Sequence, residues 1–373
     1  MAKKHRRVGI LTLNGYVNYG NRLQNYALQE VLKNFGFEVE TIRVNRSGKS
    51  EILQRVKNIN NFHDFLMKVK KRMNYYLQKK VRHSRELLFR EFSDKHLYET
   101  KNIISNDSEA EELNEYFDYF VTGSDQVWNP NNLRGTSFFF LTFTDKAKRI
   151  AYAPSFGVSE IEDKDKVNYE KWLSDINKLS VREEAGAKII KELTGRDAPV
   201  LVDPTLLLTK TEWLRISKKA KNKPQKKYLL TYFLGGVPHD YKSQVDIIAK
   251  QNNLDIINLG DIKDKATYVT GPSEFIDYIN SCSLVFTDSF HGTVFAILFE
   301  KPFIVFKRPG SMNMYSRINT LLDKFELNSR KIENISSKEN ILNMDFSSIP
   351  TILEVERKKA MDYLKEVLNV EDV

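Results

Sequence analysis

The segment Asp288-Ser289-Phe290-His291-Gly292-Thr293 separates two apolar runs, Leu284–Thr287 and Val294–Phe299. An imidazole is well suited to pass a proton near neutral pH, so His291 is a candidate general acid or base. If the second run is helical, its first turn offers unpaired N–H groups and partial positive charge to a phosphate or carboxylate. Ser289 and Gly292 then stand where such an anion would lie, the glycine because it admits a ligand close to the backbone. The plainer reading is that His291 caps that helix or fills a turn.

Three cations stand at similar punctuation points. Arg182 follows a short apolar run and opens a helical pattern, where a guanidinium can grip an oxyanion in two-pronged fashion. It can equally be a surface arginine paired with Glu183 or Glu184. Lys307 and Arg308 end the run Phe303–Phe306 and would face the same rim as His291, or simply be solvated charges.

Two further loops carry polar groups suited to a sugar. Asn18, Asn21, Arg22 and Gln24 surround Gly20 ahead of a helix, without the G-x-G-x-x-G spacing of a dinucleotide site. Ser124, Asp125, Gln126 and Trp128 combine hydrogen-bonding groups with a ring on which a sugar can stack. Alternatively, Trp128 packs in a core and the Asn and Asp residues cap turns. His, Asp and Glu show no metal-ligand spacing, and no G-x-S-x-G elbow is present, so neither a metal centre nor a hydrolase triad is expected.

These segments need elements to position them. Val8–Leu13 reads as a strand, Arg22–Phe35 as a helix closed by Gly36, and Phe37–Val44 as the next strand. Strands follow at Tyr116–Thr122, Arg149–Pro154, Leu179–Val181 and Val200–Pro204. The basic stretch Lys218–Lys227 is a candidate linker. A second strand–helix alternation runs from Tyr228 to Phe306, with Ser273 as the N-cap of one helix, Asp288–His291 as a loop and a helix over Gly292–Phe299. The expected fold is α/β, with two Rossmann-like domains facing a cleft. Its divisions are 1–217, 228–350 (carrying His291), and a C-terminal helix within 351–373 that packs back on the first domain.

The chain has 373 residues and a net charge of +9, which is ample for two cores. Its single cysteine, Cys282, excludes an internal disulfide and reads as a small core residue. The apolar run after the basic N-terminus is too short for a signal peptide, and no run is long enough to span a membrane, so a cytoplasmic location is expected. Phe62 to Leu88 keeps a helical period. Ten Lys or Arg face three Asp or Glu between Leu66 and His96. That surplus is either a solvated face or a contact with an anionic membrane. No nucleic-acid module accompanies it.

Several of these blocks, in this order, resemble the polysaccharide pyruvyl transferases. They are Asn18-Tyr19-Gly20-Asn21, Gly123-Ser124-Asp125-Gln126-Val127-Trp128-Asn129, Tyr152-Ala153-Pro154-Ser155-Phe156-Gly157, Ser180-Val181-Arg182-Glu183, Val202-Asp203-Pro204-Thr205 and the His291 hexad. The resemblance implies a fold like the GT-B glycosyltransferases, with phosphoenolpyruvate as donor substrate and no cofactor. The acceptor it implies is a sugar of a cell-surface glycan or of its lipid-linked precursor, converted to a pyruvyl ketal. It makes His291 the catalytic histidine and Arg182 a donor-binding arginine, with Lys307 or Arg308 as the further cation. Some members carry an arginine two residues before the histidine, where this chain has Ser289; another group must then take its place, or the donor differs. The competing readings are a nucleotide-sugar glycosyltransferase of the same architecture and a non-catalytic module that binds glycan or an anionic surface.

Overall fold

A computed structural model describes residues 6–44, 73, 76–104, 107–131, 136–309, 315–335 and 341–370. The first sheet contains β1 (Arg7–Leu11), β2 (Glu38–Val44), β3 (Glu99–Ile104), β4 (Tyr119–Asp125) and β5 (Arg149–Pro154) in the order β3-β2-β1-β4-β5. The second contains β6 (Tyr228–Tyr232), β7 (Asp255–Asn258), β8 (Leu284–Thr287) and β9 (Phe303–Val305) in the order β7-β6-β8-β9. All neighbours pair in parallel. Parallel strands covered on both faces need continuous apolar runs rather than alternation. Val8, Ile10 and Leu11, and later Leu284, Val285 and Phe286, meet that need and are fully buried.

Helices cover the sheets. The longer ones among the described residues are α1 (Tyr19–Asn34), α2 (Lys79–His96), α3 (Asp163–Ser174), α4 (Glu184–Thr194), α5 (His239–Gln251), α6 (Pro272–Ser281), α7 (Phe290–Leu298), α8 (Ser316–Lys324) and α9 (Ile349–Val367). Asn18 caps α1 by accepting from the Gly20 N–H at 2.9 Å, and Gly36, at φ +87°, ends it as the sequence predicts. α9 returns to the first domain. Its Arg357 donates to the carbonyls of Leu206 and Leu208, and Tyr363 Oη donates to the Ala151 carbonyl at 2.9 Å. One continuous apolar core joins Val8 and Ile10 of the first sheet to Leu230 and Val285 of the second and to Leu364 of α9.

Several sequence expectations need correction. The segments Leu179–Val181 and Val200–Pro204 are not strands but single bridges, Ile150 to Lys178 and Val181 to Val200. β3, α3 and α8 were not anticipated. Ser273 does not cap α6; Gly271 holds that position and Pro272 opens the helix. Lys218–Lys227 is no free linker, because Asp277 of α6 accepts from the Ala220 N–H at 2.9 Å and pairs with Lys223 at 2.8 Å. Cys282 is buried in the core, and burial pushes its thiol up to about 12. Of the helical stretch expected from Phe62, residues 62–72, 74 and 75 lie outside the described residues. Lys79–His96 is helical.

Candidate active site

In each sheet the strand order reverses direction once, between β1 and β4 and between β6 and β8. The loops leaving neighbouring strands diverge at such points and open a crevice at the carboxyl edge. Here the two crevices face each other and enclose a cavity of about 240 Å³. Asn18, Asn21, Asp125 and Gln126 line it from the first domain. Ser289, His291, Arg308 and Arg317 line it from the second.

The local chain explains why His291 reaches this wall. Thr287 ends β8 by donating to the Tyr232 carbonyl at 2.6 Å, and its hydroxyl accepts from the Ser289 N–H at 3.0 Å. The Asp288 carboxylate accepts from the N–H groups of Leu234 and Gly235 at 2.7 and 2.9 Å and from Arg308 Nε at 3.1 Å. This ties the ends of β6 and β9 to β8. Ser289 then caps α7, accepting from the Gly292 N–H at 3.3 Å. α7 therefore starts at Phe290, not at Gly292, and His291 stands in its first turn.

His291 is buried, and its ring rests on the start of α1. A Cβ on Gly20 would lie 2.0 Å from His291 Nδ1 and 2.4 Å from Cγ, so only glycine fits there. On its other side Nε2 lies 3.5 Å from Asp203 Oδ2, too long for a good hydrogen bond but close enough to orient the ring. Asp203 is the hub of the site. Its Oδ2 accepts from Arg182 Nη1 at 2.5 Å and Ser124 Oγ at 2.7 Å, and its Oδ1 accepts from the Thr205 N–H and hydroxyl. Burial works to raise its pKa, but His291, Arg182 and the Thr205 bond outweigh it and hold the carboxyl far below the usual range. Asp125 is held down against its own burial by Arg182, His291 and Arg317. Its backbone is left-handed, φ +64°, a conformation that needs surrounding bonds to persist. The Gln126 N–H bond to its carboxylate and the Val127 and Ser155 N–H bonds to its carbonyl supply them.

The structure brings together only part of the residues picked out by sequence. His291, Ser289, Arg308, Asn18, Asn21, Asp125 and Gln126 meet at the cavity. Arg182 does not line it. Its guanidinium is buried against Asp203 and Asp125 (3.5 Å) and lies 4.2 Å over the Phe290 ring. Lys307 points away, exposed and paired with Glu333 at 2.8 Å. Trp128 is a core residue; its Nε1 donates to the Phe139 carbonyl and its ring stacks on Phe140 at 4.9 Å. Gln24 is sealed inside, donating to Thr12 Oγ1 and the Asn21 carbonyl. Ser124 lies beneath the cavity on Asp203. Arg22 pairs with Glu99 at 2.8 Å. Gly292 approaches a protein neighbour rather than a ligand, since its Cβ would lie 2.6 Å from Thr287 Oγ1.

Sequence reasoning assigned no role to Asp203, Gly20 or Arg317. Asp203 and Gly20 lie inside quoted blocks, yet nothing in their spacing says that they meet His291. Arg317 lies beyond the strand–helix alternation; its one signal is a charge on the same helix face as Leu321. Glu183, read as a surface partner for Arg182, is buried and accepts from Ser155 Oγ and from the N–H groups of Phe156 and Gly157.

Among the described residues no cluster of three or more His, Cys, Asp or Glu is placed to hold a metal ion, and no helix is long and apolar enough to cross a membrane. Solved structures share the architecture at low identity. A glycosyltransferase from Rickettsia africae ESF-5 superposes with a TM-score of 0.51 at 11% identity, covering 99% of this chain and 100% of that one. A putative UDP-N-acetylglucosamine 2-epimerase from Listeria monocytogenes gives 0.50 at 10%, covering 99% and 98%. The UDP-N-acetylglucosamine 2-epimerase of Rickettsia bellii gives 0.50 at 10%, covering 98% and 95%. These likenesses establish the fold: two Rossmann-like domains in the GT-B arrangement. No curated protein matches the sequence. The polysaccharide pyruvyl transferase family model matches residues 18–309, a span that holds β4 to β9, the Asp203 hub and His291, and on that match the chain belongs to the polysaccharide pyruvyl transferase family.

Proposed function

We propose that the protein transfers the pyruvyl group of phosphoenolpyruvate to two hydroxyls of a glycan sugar, forming a ketal and releasing phosphate. The observation that carries this reading is His291, oriented by Asp203, on the wall of a small cavity that also receives Arg308, Arg317 and the N-termini of α1 and α7. That wall suits a compact anion whose reaction is driven by proton transfer.

The balance of the reaction fits one acid/base group. The donor methylene carbon gains a proton and becomes a methyl group. One sugar hydroxyl adds to donor C2, phosphate departs with the C–O bond electrons, and a second hydroxyl closes the ring. The two hydroxyl protons end on the methyl group and on phosphate. With Nε2 turned to Asp203, Nδ1 is the nitrogen that exchanges the proton. Ser289 and Arg308 lie on the donor side; Asn18, Asn21, Asp125 and Gln126 present hydrogen-bonding groups to the sugar. The enzyme needs no cofactor in this scheme.

A second reading, nucleotide-sugar glycosyl transfer, has one observation in its favour. A larger cavity of about 550 Å³ lies at the carboxyl ends of β6 and β7, between Val237, Ile256, Asn258 and Lys242. Ligand-induced shifts of the unfolding midpoint separate the two. Phosphoenolpyruvate should raise the midpoint and UDP-N-acetylglucosamine should not. In His291→Ala the donor shift should persist, while phosphate release in the presence of glycan acceptors falls by about 10²–10⁴-fold. A shift with the nucleotide sugar alone overturns the pyruvyl reading.

A further inference from the structure

Two guanidiniums, Arg308 and Arg317, line the cavity and a third, Arg182, lies buried close enough to act on Arg317; the three are unequally compensated. Arg182 is held by Asp203 at 2.5 Å, by Asp125 at 3.5 Å and by the Ser124 hydroxyl at 3.4 Å. Arg308 is held by the Asp288 carboxylate through Nε at 3.1 Å and donates from Nη2 to the Asp288 carbonyl at 3.2 Å. Arg317, only 8% exposed, has much less. Its nearest carboxylate, Asp125, is 3.8 Å away and is shared with Arg182. The Gln126 side-chain oxygen, turned toward it, accepts from Nη2 at 2.7 Å and from Nη1 at 3.2 Å. Its Nε, like that of Arg182, is buried with no hydrogen-bond partner, so what sets Arg317 apart is the lack of a close carboxylate of its own.

A buried cation with an orphaned donor is costly unless something compensates it. The position of Arg317 is nonetheless fixed from outside the cavity. It stands in the first turn of α8, which packs on α4, where the Glu184 N–H donates to Thr320 Oγ1 at 3.3 Å. From the second domain it reaches across to Asp125 of the first. Burial first, then repulsion from Arg182, lowers its pKa to about 10.

We infer that Arg317, beside Arg308, is the oxyanion-binding residue of the cavity, taking a phosphate or carboxylate on its incompletely compensated guanidinium while Arg182 serves to hold Asp203 and Asp125 in place. An arriving anion supplies the compensation that Asp125 gives only partly, so ligand and charge stabilise each other. The naming of the anion as the donor rests on the proposed function; the oxyanion site itself does not.

Calorimetric titration of the full-length protein with inorganic phosphate, pyruvate and phosphoenolpyruvate tests this, using wild type, Arg317→Ala and Arg317→Lys. Circular dichroism establishes that each variant is folded. Arg317→Ala should weaken phosphoenolpyruvate at least tenfold, and Arg317→Lys should recover part of the loss. A matching loss for phosphate places its end of the donor on Arg317, and a matching loss for pyruvate places the carboxylate there. Phosphate binding that depends on Arg317, without phosphoenolpyruvate binding, supports the oxyanion site and removes the pyruvyl reading. Equal affinities in wild type and Arg317→Ala, or a wild type that binds none of the three anions, overturns the inference.

Discussion

Tyr19 and Gly20 are neighbours at the start of α1, and they meet the second domain in opposite ways. Tyr19 is inserted into it. Its ring stacks on Phe275 of α6 at 4.3 Å and on Phe89 of α2 at 5.3 Å, with Tyr232 of β6 at 5.3 Å and the Arg85 guanidinium 4.5 Å over its face. Arg85 donates to the carbonyl oxygens of Tyr268 (2.7 Å), Leu259 (3.2 Å) and Val17 (3.1 Å), binding the two domains without a carboxylate. Burial pushes the Tyr19 hydroxyl up to about 12, so it stays neutral. Gly20 gives no side chain and receives the His291 ring instead. On its side the contact is made of charges: Asp125, Arg182, Asp203 and Arg317. The aromatic joint gathers both domains around a single charge whose two terminal nitrogens bond carbonyls. The charged cleft can then carry groups whose pairing is incomplete, because it is not what holds the domains together.

The strongest way to break the contrast is to remove the hub of the charged side. Asp203→Asn leaves Arg182 buried with Asp125 as its remaining carboxylate. Loss of one partner from a buried pair costs about 3–5 kcal/mol, which the urea midpoint reads. The pH dependence gives a sharper test. Burial opposes the charge on Asp203, but His291, Arg182 and Thr205 hold its carboxyl well below the ordinary value. A depressed carboxyl contributes stability above its unfolded pKa of about 4 and loses it as pH falls toward the folded value. The wild type should therefore weaken below about pH 4 more steeply than Asp203→Asn. Parallel curves would mean that the hub contributes no net stability.

Breaking the aromatic joint should do less to stability but more to shape. Arg85→Ala leaves three carbonyls of two domains without their donor, an expected loss of roughly 2–3 kcal/mol. Small-angle scattering should show a larger radius of gyration at unchanged helix content. If the radius is unchanged, apolar packing around Tyr19 and Phe275 suffices to hold the joint, and Arg85 is a passenger within it.

The two regions also differ in how far the sequence discloses them. The strands that carry the cleft are legible because a parallel sheet demands unbroken apolar runs, and Leu284–Thr287 followed by Asp288 and His291 has no other simple reading. Gly36 as the stop of α1 is legible for the same local reason. The partners of His291 are not. Asp203 and Gly20 reach it only when two domains close on each other, and no periodicity encodes that distance. Trp128 and Lys307 mislead in complementary ways. A tryptophan in a polar loop can turn inward when a backbone carbonyl, here that of Phe139, accepts its N–H. A strand-end lysine has enough length to swing out to Glu333. Arg182 pairs with Asp203 and Asp125 instead of lining the cavity, and from sequence a guanidinium near acidic residues looks the same whether it grips a ligand or two buried aspartates.

The finest probe of the contrast adds one methyl group. Gly20→Ala changes no charge and removes no hydrogen-bonding group, and in a helix alanine is favoured over glycine by up to about 1 kcal/mol. Its Cβ would nevertheless fall 2.0 Å from His291 Nδ1, so the imidazole must move. Tyr19, one residue away, keeps its place in the aromatic joint, and the domains should stay together. The unfolding midpoint should change little, because gained helix propensity offsets the displaced ring. Turnover should fall by roughly 10–100-fold, the usual result of moving an acid/base group by about 1 Å. On the pyruvyl-transfer proposal the Kd for phosphoenolpyruvate should hold, since Arg308 and Arg317, the cations proposed to bind it, approach from the second domain and do not touch Gly20. Full turnover in Gly20→Ala would show that the seat of His291 on α1 is packing alone, and that the ring works from another position.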